Sequence, residues 1–233
     1  MSLRNHTRLV WVFGVLALLA AAVPAQALQL GSRETKEWIE RLESPQRIAG
    51  LKVDEIIKSL SLRPGLVVAD IGAGTGVFSR PFAKGVAPSG KVYSVDIDKG
   101  LLDYINERAQ QEKITNIQTV LGKFDDPNIP KKDVDLVFIH DVLHHIKDRE
   151  SYVKNLADYM KPNARLALIE MDKNDPNTAH KDQPEMLVTR AEVDYWMKKA
   201  GLYPLQEFDL FKGTKWFVVY LKGVEEEEDH MGH

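Results

Sequence analysis

Residues 68–76 read VADIGAGTG and decide the fold of this chain. The pattern predicts a short apolar strand over residues 66–71, a turn with three glycines, and a helix over residues 76–86. A ligand can lie against the backbone of such a turn, because glycine has no Cβ to block it. Val77 stands where the dinucleotide fingerprint G-x-G-x-x-G has its third glycine. The turn therefore predicts a binding site and argues against a nicotinamide-dependent oxidoreductase.

Strand and helix patterns alternate after this turn. The other predicted strands cover residues 91–96, 117–121, 134–139, 165–171, 203–210 and 216–221. The other predicted helices cover residues 34–43, 47–60, 100–113, 142–160 and 189–200. Strands that alternate with helices form a parallel sheet covered on both faces, and the last two strands are close enough in sequence to pair antiparallel. We predict an α/β fold: a Rossmann-like, doubly wound, seven-stranded, mostly parallel sheet with an antiparallel C-terminal edge.

The composition limits the possible functions. The chain has 233 residues, of which 44% are hydrophobic, enough for one domain with a full core, placed at residues 28–222. Its net charge of −3 comes from 31 basic and 34 acidic residues, so it has no basic excess for nucleic acid. It has no cysteine, which excludes disulfides, thiolate metal ligands and a cysteine nucleophile.

Residues 1–27 carry the pattern of a secretory signal peptide. Arg4 and Arg8 precede an unbroken apolar run over residues 9–23, which is short for a membrane span. The sequence Ala25-Gln26-Ala27 follows as an A-x-A cleavage site. A buried core helix is the alternative. The pattern predicts export to the periplasm or the extracellular space, with a membrane contact only if this segment stays uncleaved.

Residues 223–233 are predicted to form an acidic, disordered tail, because residues 225–229 read EEEED. His230 and His233 leave a weak metal-binding tail as the alternative.

The segment DIGAGTG, residues 70–76, resembles the first motif of class I S-adenosylmethionine-dependent methyltransferases. The resemblance implies that the loop approaches the methionine part of S-adenosylmethionine. Asp70 would anchor the loop and the amino group of the ligand, a cation that a carboxylate can pair with. The loop residues implied in cofactor binding are Gly72, Ala73, Gly74 and Gly76.

Two further motifs match the same family. Asp96 and Ile97 end the second predicted strand, where the family has its ribose-binding acid and where a carboxylate can accept both ribose hydroxyls. Asp98 is predicted to cap the following helix. Phe124 and Asp125 follow the third strand, where the family contacts adenine. The match is looser there, since Lys123 replaces an acid, and a solvated acidic loop is the alternative.

The fourth motif, FIHDVLHHI at residues 138–146, ends the fourth predicted strand. His140 is assigned to the cofactor site, and Asp141 is predicted to cap the next helix. His144 and His145 are the candidate catalytic residues, because imidazole can accept a proton from an attacking hydroxyl or amine. The alternative is that these histidines pack the helix. A metal site from His140, Asp141 and His144 is conceivable, but no metal is predicted.

The resemblance implies methyl transfer from S-adenosylmethionine to an acceptor that the sequence does not identify, expected to be a small molecule. Such an enzyme mainly positions the nucleophile and excludes water, so no strong catalytic signature is required. A polar loop over residues 172–184, with His180, follows the fifth strand and is either a cover for the acceptor or a plain surface loop. The alternative function is a non-catalytic, exported S-adenosylmethionine- or nucleoside-binding protein, because the cofactor is made in the cytoplasm.

Overall fold

The computed structural model of the chain describes residues 34–223. The predicted signal peptide, residues 1–27, and all but the first residue of the predicted tail lie outside this range. Within the described range, no helix is both long and apolar enough to cross a membrane.

The described chain forms one seven-stranded sheet. Its strands are β1 (Val67–Ile71), β2 (Lys91–Asp96), β3 (Ile117–Leu121), β4 (Val134–His140), β5 (Met160–Met171), β6 (Leu202–Phe208) and β7 (Lys215–Lys222). The order across the sheet is β3-β2-β1-β4-β5-β7-β6. The first five strands are parallel, and β7 pairs antiparallel with both β5 and β6. The predicted Rossmann-like sheet with an antiparallel C-terminal edge is therefore confirmed.

Seven α-helices accompany the sheet in the described range. They are α1 (Thr35–Leu42), α2 (Pro45–Leu51), α3 (Val53–Leu60), α4 (Ser79–Val86), α5 (Lys99–Gln111), α6 (Arg149–Ala157) and α7 (Arg190–Lys199). Asp98 caps α5 as predicted, since its Oδ1 accepts from Gly100 N at 2.7 Å and from Leu101 N at 3.2 Å. The helix predicted over residues 47–60 is interrupted at Lys52, which has a left-handed φ of 53°.

Two apolar clusters cover the two faces of the sheet. Phe138 of β4 packs into one cluster with Phe82 of α4, and Ile139 packs into the other with Leu156 of α6. Neighbouring strand residues thus point to opposite faces and are buried on both, as a covered parallel sheet requires. Each fully buried large apolar side chain contributes about 1.5–3 kcal/mol, so this packing fixes the strand ends that form the site.

The helix predicted over residues 142–160 forms only in its second half, as α6. A short 3₁₀ helix, Leu143–His145, follows β4, and α6 begins only after Asp148, whose Oδ1 accepts from Ser151 N at 3.1 Å. Asp141 does not cap a helix: it has a left-handed φ of 54° and its carboxylate pairs with Lys215 of β7. A capping carboxylate at Asp148 and the turn at Asp141 thus override the apolar pattern. Strand β5 also starts earlier than predicted.

Candidate functional site

A cleft with a volume of about 570 Å³ lies at the carboxyl ends of β1, β2 and β4. Strand order reverses between β1 and β4, and open α/β sheets bind ligands at such a switch point. Of the residues predicted to bind the cofactor, eight line this cleft: Asp70, Gly72, Ala73, Gly74, Asp96, Ile97, Phe124 and His140. Gly76 and Asp125 are not among its lining residues.

The glycine turn forms the floor of the cleft. Gly72, Gly74 and Gly76 have φ values of +67°, +56° and +74°, which side chains rarely adopt. A Cβ on Gly72 would lie 2.3 Å from Val142 Cγ2, so this glycine is required for packing as well as for its backbone conformation. Gly76 packs against Ile105 of α5, away from the cleft. The turn thus presents bare backbone at Gly72 and Gly74.

Asp96 connects the end of β2 to the glycine turn. Its Oδ2 accepts from Gly74 N at 2.8 Å, and its Oδ1 accepts from Asp98 N at 3.0 Å. Burial raises the pKa of this carboxyl, while both backbone bonds oppose that shift. Each carboxylate oxygen has a further lone pair, so Asp96 can accept from a ligand without giving up the turn.

Asp70 lies beneath the turn and is 3% exposed. Ser79 Oγ of α4 donates to its Oδ2 at 2.5 Å, and Ser94 Oγ of β2 donates to Ser79 Oγ at 2.8 Å. Burial raises the pKa of Asp70 to about 7, because a desolvated carboxylate is disfavoured. A cationic ligand group beside this carboxyl would favour its charged form.

We expect the Asp70→Asn variant to gain stability relative to the wild type as the pH rises from about 4 to about 7. Burial raises the folded pKa of Asp70 from 3.8 to about 7, so in this window the folded chain holds a proton that the unfolded chain has lost. The wild type therefore loses stability as the pH rises, and asparagine does not titrate. Denaturant unfolding of both proteins across this pH range measures the effect.

Asp103→Asn is the matched control, since the carboxylate of Asp103 is exposed on α5. A wild-type and an Asp70→Asn protein with parallel pH profiles would contradict the assignment.

Ile97 and Phe124 form one side of the cleft. Phe124 is 37% exposed, so its aromatic ring is accessible to stack against a flat ligand group. Asp125 lines a second, adjoining cavity of about 490 Å³ that also contains Ile97, Phe124 and His145. The acidic loop is closed on itself, because Lys123 N donates to Asp126 O at 2.8 Å.

His140 lies at the end of β4 among aromatic rings. Its ring centroid is 5.2 Å from that of Phe78 and 6.3 Å from that of Phe211. Burial lowers its pKa to about 4, so the imidazole is neutral at physiological pH. Its Nδ1 is 3.4 Å from Asp141 Oδ2, and its buried Nε2 has no hydrogen-bond partner in the described part of the chain.

The two candidate catalytic histidines have different surroundings. His145 lines the cleft, and burial lowers its pKa to about 3. His144 is 2% exposed and is not a lining residue; its Nδ1 is 2.8 Å from Glu170 Oε1, and its backbone N donates to Glu170 Oε2 at 3.3 Å. A pKa of about 3 makes His145 a weak proton acceptor.

Several lining residues were not assigned from the sequence. Trp38 and Leu42 of α1 and Arg47 of α2 wall the cleft from the N-terminal side. Helix α1 is joined to α5 by Thr35 Oγ1, which donates to Asp98 Oδ1 at 3.4 Å. The sequence predicted a helix over residues 34–43, but no local signal shows that Trp38 and Leu42 of this helix meet the distant glycine turn.

The cleft fits S-adenosylmethionine. It combines bare glycine backbone, a carboxylate at the β2 end and apolar walls, within the 300–1,000 Å³ typical of small-ligand sites. Four lining residues also have a buried polar atom without a partner among residues 34–223: Thr75 Oγ1, His140 Nε2, Asp141 Oδ1 and His145 Nδ1. Unpaired buried polar atoms are costly, so a ligand with polar groups between apolar parts is expected here.

The fold and this cleft define a class I methyltransferase. A family model described as a methyltransferase domain matches residues 62–207, and the chain belongs to this family. The methyl donor that this family uses is S-adenosylmethionine. The family match also removes the nicotinamide alternative.

Curated relatives of this chain carry related names. A protein of Ectopseudomonas mendocina named ubiquinone/menaquinone biosynthesis C-methyltransferase UbiE is 30% identical over 118 residues, 50% of this chain and 46% of that protein. A demethylmenaquinone methyltransferase of Geobacillus sp. is 23% identical over 117 residues, half of each chain. This chain thus spans about half the length of the curated relatives it matches.

The fold also has close solved counterparts. The crystal structure of a SAM-dependent methyltransferase from Aquifex aeolicus superposes with a TM-score of 0.71 at 23% identity, covering 82% of this chain and 99% of that one. A likeness at this identity shows the shared fold.

Proposed function

We propose that this chain transfers the methyl group of S-adenosylmethionine to a small, largely apolar organic acceptor. One observation carries the proposal: the glycine turn, Asp96 and the apolar walls meet in a single cleft at the switch point of the sheet. The apolar walls, with Val142 and Ile146 beside His145, favour an acceptor with a ring over a highly charged one.

S-adenosylmethionine supplies a methyl carbon bonded to a good leaving group, the sulfonium sulfur. An acceptor atom bound beside it would form a bond to that carbon as the carbon–sulfur bond breaks; the electron pair of the broken bond would stay on sulfur, and the acceptor proton would pass to solvent or to a nearby base. Asp96 and the turn hold the donor, while α1 and the β4 end exclude water. Positioning of this kind supplies most of the rate gain in such a displacement.

The named quinone methyltransferases suggest the acceptor class. Two relatives are named for methylation in ubiquinone or menaquinone biosynthesis, and both match only half of this chain. We propose an electron-rich ring, of the phenol or hydroquinone type, that offers a carbon or an oxygen nucleophile.

Calorimetry with S-adenosylmethionine, S-adenosylhomocysteine and NAD tests the donor, and transfer of a labelled methyl group to a panel of hydroquinones and phenols tests the acceptor. We expect binding of the first two ligands and not of NAD, with label recovered in a ring compound. Failure to bind S-adenosylmethionine would overturn the proposal. Binding without transfer to any component of a host extract would favour the non-catalytic alternative.

We also propose that the mature domain acts outside the cytoplasm. The basic start, the short apolar run and Ala25-Gln26-Ala27 support export, although these residues lie outside the described range. N-terminal sequencing of the protein from its native host is expected to begin at Leu28. An intact Met1 in a soluble cytoplasmic fraction would contradict export.

A further inference from the structure

Three histidines meet beside the cleft. His144 and His145 come from the 3₁₀ helix after β4, and His180 comes from the loop between β5 and α7. One ring nitrogen from each lies within 4.8 Å of the others. The ring centroids of His144 and His145 are 4.0 Å apart, and that of His180 is 5.2 Å from His144 and 5.9 Å from His145.

The carboxylate of Glu170 fixes the imidazole of His144 by a hydrogen bond. The carboxylate and the imidazole are 1% and 2% exposed, and Oε1 is 2.8 Å from Nδ1. Oε1 also accepts from Met171 N at 2.9 Å, so the carboxylate is itself fixed by the β5 backbone. A carboxylate bonded to one imidazole nitrogen is the usual support for a histidine whose other nitrogen binds a metal. This bond leaves Nε2 of His144 available.

The other two histidines also offer a nitrogen. His145 Nδ1 is buried and has no hydrogen-bond partner within the described residues. His180 has a left-handed φ of 64°, and its Nδ1 is 3.2 Å from Gln183 Oε1, which leaves its Nε2 available. A buried, unpaired nitrogen such as His145 Nδ1 is unfavourable unless a ligand pairs with it.

We propose that His144, His145 and His180 bind a divalent transition-metal ion, with Glu170 as the positioning residue. Three imidazoles suit Zn²⁺ and leave a fourth position open, as in sites where a metal handles a substrate or water. Zn–N bonds of about 2.0–2.1 Å require the nitrogens to approach to about 3.3 Å, so the side chains, whose nitrogens lie within 4.8 Å of one another here, would move closer together on binding. Because His145 also lines the cleft, the open position would be accessible to an acceptor oxygen.

This site differs from the metal site that the sequence alone suggested, which combined His140, Asp141 and His144. His140 and Asp141 contact each other instead, and Asp141 pairs with Lys215. His180 is 36 positions after His144, so only the fold brings it into the set. The inference does not depend on the identity of the methyl acceptor.

Metal titration of the chelator-treated full chain tests the site. His230 and His233 are first replaced with alanine, because they could bind metal in the tail. We expect one equivalent of Zn²⁺ by calorimetry, and a visible absorption band with Co²⁺ that reports nitrogen ligands in a low-symmetry site. His180→Ala, on a partly exposed loop, is expected to lose at least about 100-fold in affinity.

Two further variants separate the positioning role of Glu170 from a general loss of structure. Glu170→Gln is expected to keep the stoichiometry but to lose about 10- to 100-fold in affinity and to shift the Co²⁺ band. Lys181→Ala, which changes an exposed side chain next to His180, is expected to bind Zn²⁺ as the parent does. No stoichiometric binding by the folded parent, or equal binding by His180→Ala, would overturn the proposal.

Discussion

Gly74→Val is expected to abolish measurable binding of S-adenosylmethionine, a loss of more than about 100-fold, or about 2.8 kcal/mol. Gly74 has a φ of +56°, its backbone N donates to Asp96 Oδ2, and it lines the cleft. A Cβ there would lie 3.2 Å from Leu42 Cδ1, and the two methyl groups of valine would occupy the space of the ligand. Calorimetry with the folded variant measures the loss.

Gly201→Val is the matched control. Gly201 also has a positive φ, +71°, and a Cβ there meets nothing within 4 Å. It lies next to Leu202, which pairs with Lys222 at the end of the sheet away from the cleft. The control therefore carries the same backbone strain without blocking the site, and we expect it to lose stability but to bind the cofactor. Normal binding by Gly74→Val would show that the turn is not the cofactor site.

Asp96→Ala is expected to weaken binding of S-adenosylmethionine by about 1.5–3 kcal/mol, which is about 10- to 150-fold. The variant loses the charged acceptor for the ribose hydroxyls, and it also leaves Gly74 N without the partner that holds the turn. Asp96→Asn keeps one acceptor oxygen, so we expect an intermediate loss. Competition calorimetry with S-adenosylhomocysteine measures all three proteins.

Asp103→Ala serves as the control for that series, because it removes an exposed carboxylate from α5. If the control and Asp96→Ala both keep the affinity of the wild type, Asp96 does not contribute to binding of S-adenosylmethionine. An equal loss in both would point to net charge as the cause.

The sheet was predictable because local patterns determine it. The bounds of β2 and β3 match the predicted residues 91–96 and 117–121, whereas β5 starts five residues before the apolar run predicted over residues 165–171. The glycine turn was predictable for a related reason: only glycine adopts its three positive φ values without strain. Ligand-facing positions at strand ends then follow from topology, which places Asp96 beside Gly74.

The remaining part of the site depends on contacts between distant segments. The apolar pattern of residues 142–160 suggested one long helix, whereas Asp141 pairs with Lys215, a residue 74 positions later. The approach of His180 to His144 and His145 depends equally on the course of a loop. Neither contact leaves a periodic trace in the sequence, so pattern analysis could name these residues but not their partners.

Helix α1 contributes no fully buried residue to the domain, although Trp38 and Leu42 wall the cleft. A segment with so little burial opens locally at a lower free energy than the sheet beneath it. A bound donor offers these side chains additional apolar surface, so occupancy of the cleft and closure of α1 stabilise each other. We therefore expect amide hydrogen exchange in α1 to slow when S-adenosylhomocysteine occupies the cleft.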